Sequence, residues 1–240
     1  MDHEPLPNLF VHIARAVIAV FPVLIILALL LAALDFFFAD SGSGSVKAFI
    51  PIFIAYFLHR SVLFQPASWL RPNAGQLNGQ PMPPEYIGRF IGASLIPGVL
   101  IFLLAIAIGL SMSDEFGSNE TIIVLVVLVG FAMWVYLSLF GMQFPAMAAG
   151  RRFSMIDPLR ATWANRGRVA IALLFVSGPI WLLVLVGAMF LATVIGPMTT
   201  GWDPVFRDLL SSFAGELFSM IPSVATVVIL CRGYIRHYPR

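Results

Sequence analysis

The stretch VHIARAVIAVFPVLIILALLLAALDFFF, Val11–Phe38, decides the fold. Between Arg15 and Asp35 it runs for 19 residues without a charge. An α-helix needs about 20 apolar residues to cross the hydrocarbon core of a bilayer. The run is too long for the roughly 7–15-residue apolar region of a signal peptide. Phe37-Phe38-Ala39 also makes a poor cleavage site. The segment therefore reads as a retained membrane span, basic at one end and acidic at the other.

Five further apolar segments follow, at Val46–Phe64, Ile87–Leu110, Thr121–Ala149, Val169–Ile195 and Val205–Cys231. The chain is 60% apolar and 11% charged, with a mean hydropathy of +0.93. A soluble domain is about 45–50% apolar and about 25% charged. The expected fold is all-α: one domain over residues 1–240, a polytopic bundle of six transmembrane helices.

The charges sort by side. With the amino terminus inside, Arg15, Arg60, Arg71, Arg89, Arg151, Arg152, Arg160, Arg166, Arg168, Arg232, Arg236 and Arg240 fall on the inner face, and Lys47 and Arg207 fall outside. That division, 12 of the 14 basic residues, is a positive-inside bias with both termini cytoplasmic. Asp35, Asp40, Asp114, Glu115, Glu120, Asp203 and Asp208 collect on the outer side. The net charge of +2 averages these two faces, and implies anionic lipid headgroups rather than nucleic acid as the basic face's partner. Thirteen arginines against one lysine suggest GC-rich bacterial coding, hence a bacterial plasma membrane.

Short polar turns are expected outside, at Asp40–Ser45, Ser113–Glu120 and Met198–Pro204. Inside, the proline-rich Gln65–Glu85 is expected to be irregular. Arg151–Arg168 reads as an elbow carrying a short interfacial helix between spans four and five. Asp157 caps it, Pro158 is its first residue, Gly167 ends it, and Trp163 sits at headgroup depth. Arg151, Arg152, Trp163, Arg166 and Arg168 are the candidate contacts to lipid headgroups. Every span holds a proline: Pro22, Pro51, Pro97, Pro145, Pro179 and Pro222. These are either hinges of a substrate path or prolines tolerated because neighbours satisfy the freed carbonyls.

The last span carries Ser212, Glu216, Ser219, Ser223 and Thr226, whose spacings of 4, 3, 4 and 3 put them on one helix face. A carboxyl group at that depth is costly and belongs inside the bundle. It is either a proton or cation site ringed by hydroxyls, or a protonated packing residue with one interhelical hydrogen bond. Gln143 pairs with such an acid or faces the inner headgroups. Gly88 and Gly92 form a small-xxx-small pair suited to close helix packing.

Cys231 is the single cysteine, so no intrachain disulfide or zinc framework is available. His12, His59 and His237 lie on the inner side without carboxylates or thiols at ligand spacing. No metal or cofactor is expected. Motifs for a zinc protease, a serine hydrolase or a phosphate-binding loop are missing from the sequence.

Phe144–Gly167, in which a span ends in Pro145-Ala146, a basic turn follows and a short helix holds Ala161-Thr162-Trp163, resembles the YciC-like bacterial membrane proteins. It is also similar to the membrane domain attached to some glycerophosphodiester phosphodiesterases, and Leu230–Arg236 is similar to the ending of both groups. The resemblance implies six helices with a central elbow. It brings no activity, because the phosphodiesterases' catalytic domain has no counterpart here.

The leading functional expectation is a non-enzymatic membrane protein that organises lipid, or a partner that is another membrane protein or a second copy. The alternative is a small ion- or proton-coupled transporter using Glu216. The second alternative is a lipid-modifying enzyme whose site is assembled from distant helices.

Overall fold

The computed structural model of the chain describes residues 8–37, 44–64, 87–112, 118–150, 156–165, 167–198 and 201–237. Among these, all regular structure is helical. The order is α1 Leu9–Phe37, α2 Gly44–Phe64, α3 Ile87–Met112, α4 Ser118–Phe140, α5 Gln143–Ala148, α6 Ile156–Ala164, α7 Arg168–Ala172, α8 Gly178–Met198 and α9 Pro204–His237. A π-helical segment, Leu173–Ser177, joins α7 to α8 without a break. The segment at 65–85 and the greater part of the outer turns lie outside the described residues.

The core is a seam between the first and last long helices. Val20, Leu24, Ala28 and Leu31 recur at helical spacing on α1 and are buried, as are Val224, Val227, Val228 and Leu230 on α9. The other side of α1 exposes Ile18, Ile26, Leu29 and Leu30, and α3 exposes Ile96, Leu100, Leu103 and Leu104. Each such side chain left in water forgoes about 1.5–3 kcal/mol. Exposed apolar side chains on helices this long find a fitting solvent in lipid. α1, α3 and α9 are long and apolar enough to cross a membrane, through Leu9–Leu34, Gly88–Gly109 and Pro204–His237.

One end of the bundle gathers the starts of α1, α3 and α7 with the ends of α2, α5 and α9. Arg232 reaches His12 at 3.3 Å, Cys231 reaches the His59 carbonyl at 3.8 Å, and Arg60 reaches the Ala148 carbonyl at 3.5 Å. Phe90, near the start of α3, packs on Tyr56 at 5.2 Å and on Phe144 at 5.1 Å between ring centroids. Successive long helices therefore alternate in direction.

The prolines divide by what happens around them. Pro97 cannot donate to the Ala93 carbonyl, and Tyr136 supplies the missing bond by donating its hydroxyl to that oxygen at 2.7 Å. Here the tolerated-proline reading holds. Pro179 comes two residues after the π segment, where the Gly178 N–H bonds to the Leu173 carbonyl, a register that widens the turn the ring would otherwise strike. Pro145 breaks the expected fourth span, Thr121–Ala149, into two helices. Without a Pro145 N–H, the Gly141 carbonyl accepts from Phe144 at 3.2 Å, and the chain turns at Gly141-Met142.

That turn sits directly against α9. A methyl group on Gly141 would collide with the Leu137 carbonyl and lie 2.6 Å from Leu230 Cδ2. One on Gly233 would lie 2.7 Å from Val169 Cγ2. A methyl group on Gly109 would likewise lie 2.8 Å from Leu125 Cδ1, so these three are close-approach glycines. Gly88 and Gly92 are not, since a methyl group on either meets nothing within 4 Å among the described residues. Their spacing matches a packing motif, but no helix among the described residues comes within 4 Å of a methyl group there.

Candidate functional site

Ser212, Glu216, Ser219, Ser223 and Thr226 lie along one side of α9, all partly buried. The helix itself uses three of the hydroxyls. Ser219 donates to the Glu216 carbonyl at 2.8 Å, Ser223 to the Ser219 carbonyl at 3.4 Å, and Thr226 to the Pro222 carbonyl at 2.9 Å. Thr226 Oγ1 also lies 2.8 Å from Ser177 Oγ in the π segment. Its single proton is committed to Pro222, so Ser177 is the donor. This pair bridges two helices at their irregular points.

Gln143 neither pairs with Glu216 nor faces headgroups. It is buried in α5 and donates to Tyr136 Oη at 2.7 Å. Its neighbour Gly141 packs on Leu230, about 21 Å along α9 from Glu216 at helical rise. Break and aromatic relay thus explain Gln143.

The basic end holds the arrangement with chemical potential. An open cleft of about 70 Å³ is lined by Leu9, Asn165, Arg168, Val169, Ala172, Ile229, Arg232, Gly233 and Arg236. Among the described residues that line it, three are arginines and none is acidic. Arg168 enters as the first residue of α7, after the left-handed turn at Gly167, whose φ of 74° suits glycine. Arg232 and Arg236 are four apart on α9 and project on one face. Gly233, between them, lets α7 approach so that Arg168 joins the pair. Arg232 is steadied by His12 of α1. Arginine only donates, so His12 presents a bare Nδ1 to it and is neutral, with its proton on Nε2.

Among the described residues Arg168 and Arg236 have no carboxylate or other side-chain partner. The bland account of Arg236 is that a cation in the last turn complements the helix dipole. That does not account for Arg168, which opens a helix. Asn165, which also lines the cleft, is held by donating to the Ala161 carbonyl at 2.8 Å. On α6, Trp163 is 82% exposed while Ala161 is fully buried, which makes the elbow helix two-faced. Of the other expected headgroup contacts, Arg151, Arg152 and Arg166 lie outside the described residues.

The sequence reading put Arg168 in the basic elbow but left Arg232 and Arg236 as sidedness markers. Their spacing of four at a helix end, opposite an arginine that opens another helix, was the available signal. It also missed the buried pair at the end of α2. His59, 3% exposed, donates Nδ1–H to the Ala55 carbonyl at 2.7 Å, and its Nε2 has no partner among the described residues. It sits beside Phe90 and Phe144, at centroid distances of 5.6 and 6.1 Å. Arg60 donates to Tyr56 Oη at 3.1 Å and lies 5.7 Å from that ring's centroid, tying α2 to α5.

Fold and site together define a class: an all-helical protein with helices apolar enough to cross a membrane, and a cluster of arginines at one end of the bundle. No family model, curated protein or solved structure matches the chain.

Proposed function

We propose that the chain is a bacterial plasma-membrane protein that crosses the bilayer six times, with both termini cytoplasmic, and holds anionic lipid headgroups at its basic end without acting on them chemically. One observation carries the reading: Arg168, Arg232 and Arg236 share a cleft with no carboxylate among the described residues that line it. A site of that charge at the membrane surface attracts anionic headgroups, at about 1 kcal/mol per basic residue.

Helix length supports six crossings. α2 has 21 residues, α4 has 23, and the continuous helix from Arg168 to Met198 has 31. Each meets the requirement of roughly 20 residues. The alternating helix directions suit such a path. Exposed Trp163 on α6, at the arginine-rich end, suits an interfacial helix. The resemblance to YciC-like proteins agrees with six helices and adds no activity.

The test is reconstitution in nanodiscs of phosphatidylcholine alone, or with phosphatidylglycerol added. Anionic lipid raises the thermal midpoint, by the equivalent of about 2.7 kcal/mol when lipid stands at a hundred times its dissociation constant. Arg168→Gln combined with Arg236→Gln removes most of the gain, and added salt shrinks it. Coincident melting curves in the two lipids would refute the reading.

A further inference from the structure

We propose that His59 is a proton-operated latch: its neutral ring closes the junction of α2, α3, α5 and α9, and a second ring proton opens it. The device belongs to the fold itself and does not depend on what the basic end holds.

An imidazole has two nitrogens, and only the cation carries a proton on both. In His59 the Nδ1 proton goes to the Ala55 carbonyl at 2.7 Å. Nε2 is then the bare nitrogen of a neutral ring, buried and with no partner among the described residues. A proton added there would find no acceptor among them. The ring lies beside Phe90 of α3 and Phe144 of α5. Those rings offer no lone pair, and an N–H on an aromatic face makes only a weak bond.

Charge points the same way. Among the described residues, the titratable and charged groups brought to the junction are Tyr56 and Arg60 of α2, Arg89 of α3, Cys231 and Arg232 of α9 and, behind Phe144, Tyr136 of α4. None is a carboxylate. A charged imidazole would lose its hydration with nothing among these groups to offset the loss.

The latch holds two further contacts. Arg60, the next residue, donates to the carbonyl of Ala148, which closes α5. The His59 carbonyl accepts from Cys231 Sγ of α9 at 3.8 Å. A ring driven out from between Phe90 and Phe144 draws on both. α2 then lets go of α5 and α9, and Cys231, fully buried in the closed form, becomes reachable.

A histidine in water takes up its second proton near pH 6.5. The open form therefore binds more protons than the closed one and gains on it as pH falls. For one site the gain is about tenfold between about pH 7.5 and about pH 5.5.

The single cysteine is the reporter. The full chain in phosphatidylcholine nanodiscs is treated with dithiodipyridine, which reacts with thiols in acid as well as at neutral pH. Each rate is divided by that of the chain in denaturant at the same pH. Where opening and closing outrun the reagent, the quotient follows the open population, and it should rise about tenfold over that range. His59→Phe keeps a ring and takes no proton. His59→Asn keeps a donor near Nδ1 and takes none either. In both, the quotient should be flat with pH, whatever its level. His12→Gln removes the other histidine whose neutral nitrogen is in use at this end, and should keep the full rise. A flat quotient in the parent overturns the latch. So does an undiminished rise in either His59 variant, or its loss in His12→Gln. If one His59 variant fails to fold, the other carries the test.

Discussion

At Gly141 one methyl group separates a formed helix contact from a broken one. Its added carbon would meet the Leu137 carbonyl of its own chain and Leu230 of α9, and backbone cannot step aside as a side-chain tip can. Gly141→Ala should therefore cost about 1–3 kcal/mol, the range for overpacking a filled interior. Gly92→Ala is the control: it meets nothing, and alanine gains up to about 1 kcal/mol of helix propensity over glycine. Thermal unfolding of the two variants in one detergent should place Gly141→Ala below the parent and Gly92→Ala level with it or above. If the two melt alike, the turn at Gly141 does not press on α9 as described. The sequence could not separate these glycines. Spacing along one helix singles out Gly88 and Gly92, whereas the residues that matter are chosen by what a second helix brings opposite. For the same reason His59 was legible as a histidine at a span end, and its burial between Phe90 and Phe144 was not.

Among the elements, the irregular helices explain each other. The π segment before Pro179 presents Ser177, α9 presents Thr226 one turn after Pro222, and the two hydroxyls meet at 2.8 Å. Thr226 donates on to the Pro222 carbonyl, forming a short polar chain inside an apolar seam. Hydrogen bonds between membrane helices are worth about 0.6 kcal/mol on average and up to about 1.7. Ser177→Ala and Thr226→Val should each destabilise by about that much, and the double variant should lose less than the two together. Strict additivity in the cycle would sever the link. The prolines were visible in the sequence, and their tolerance followed from the need to satisfy freed carbonyls. Their partners were not, because Tyr136 serves Ala93 from another helix and no local pattern joins the two. The hydroxyl face of α9 was legible as a face. Its use was not, because serine and threonine in a helix have the backbone of the preceding turn as a ready acceptor.

At the scale of the whole molecule, the distribution of charge along the chain was the strongest signal, and three of its arginines meet in the cleft. Arginines assigned to one side by counting along the chain come together because α7 packs on α9 at Gly233, which no segment reveals alone. The Arg232–His12 contact ties the first helix to the last at one end of the bundle. If the long helices cross a bilayer, both chain ends then lie on one face, and reversing a single span would draw arginines across the core at about 2.5–3.5 kcal/mol each. Cysteine labelling tests this directly. The native Cys231 is fully buried, and Cys231→Ala removes it with little change of volume, giving a cysteine-free background. On that background Asn8→Cys and His237→Cys probe the two ends, and Trp202→Cys probes the exposed turn before α9. A membrane-impermeant maleimide should label Trp202→Cys in intact cells, and Asn8→Cys and His237→Cys only once the membrane is opened. Labelling of one end alone in intact cells would mean an odd number of crossings. The arginine cleft would then straddle two faces, and the lipid reading would fall with the topology.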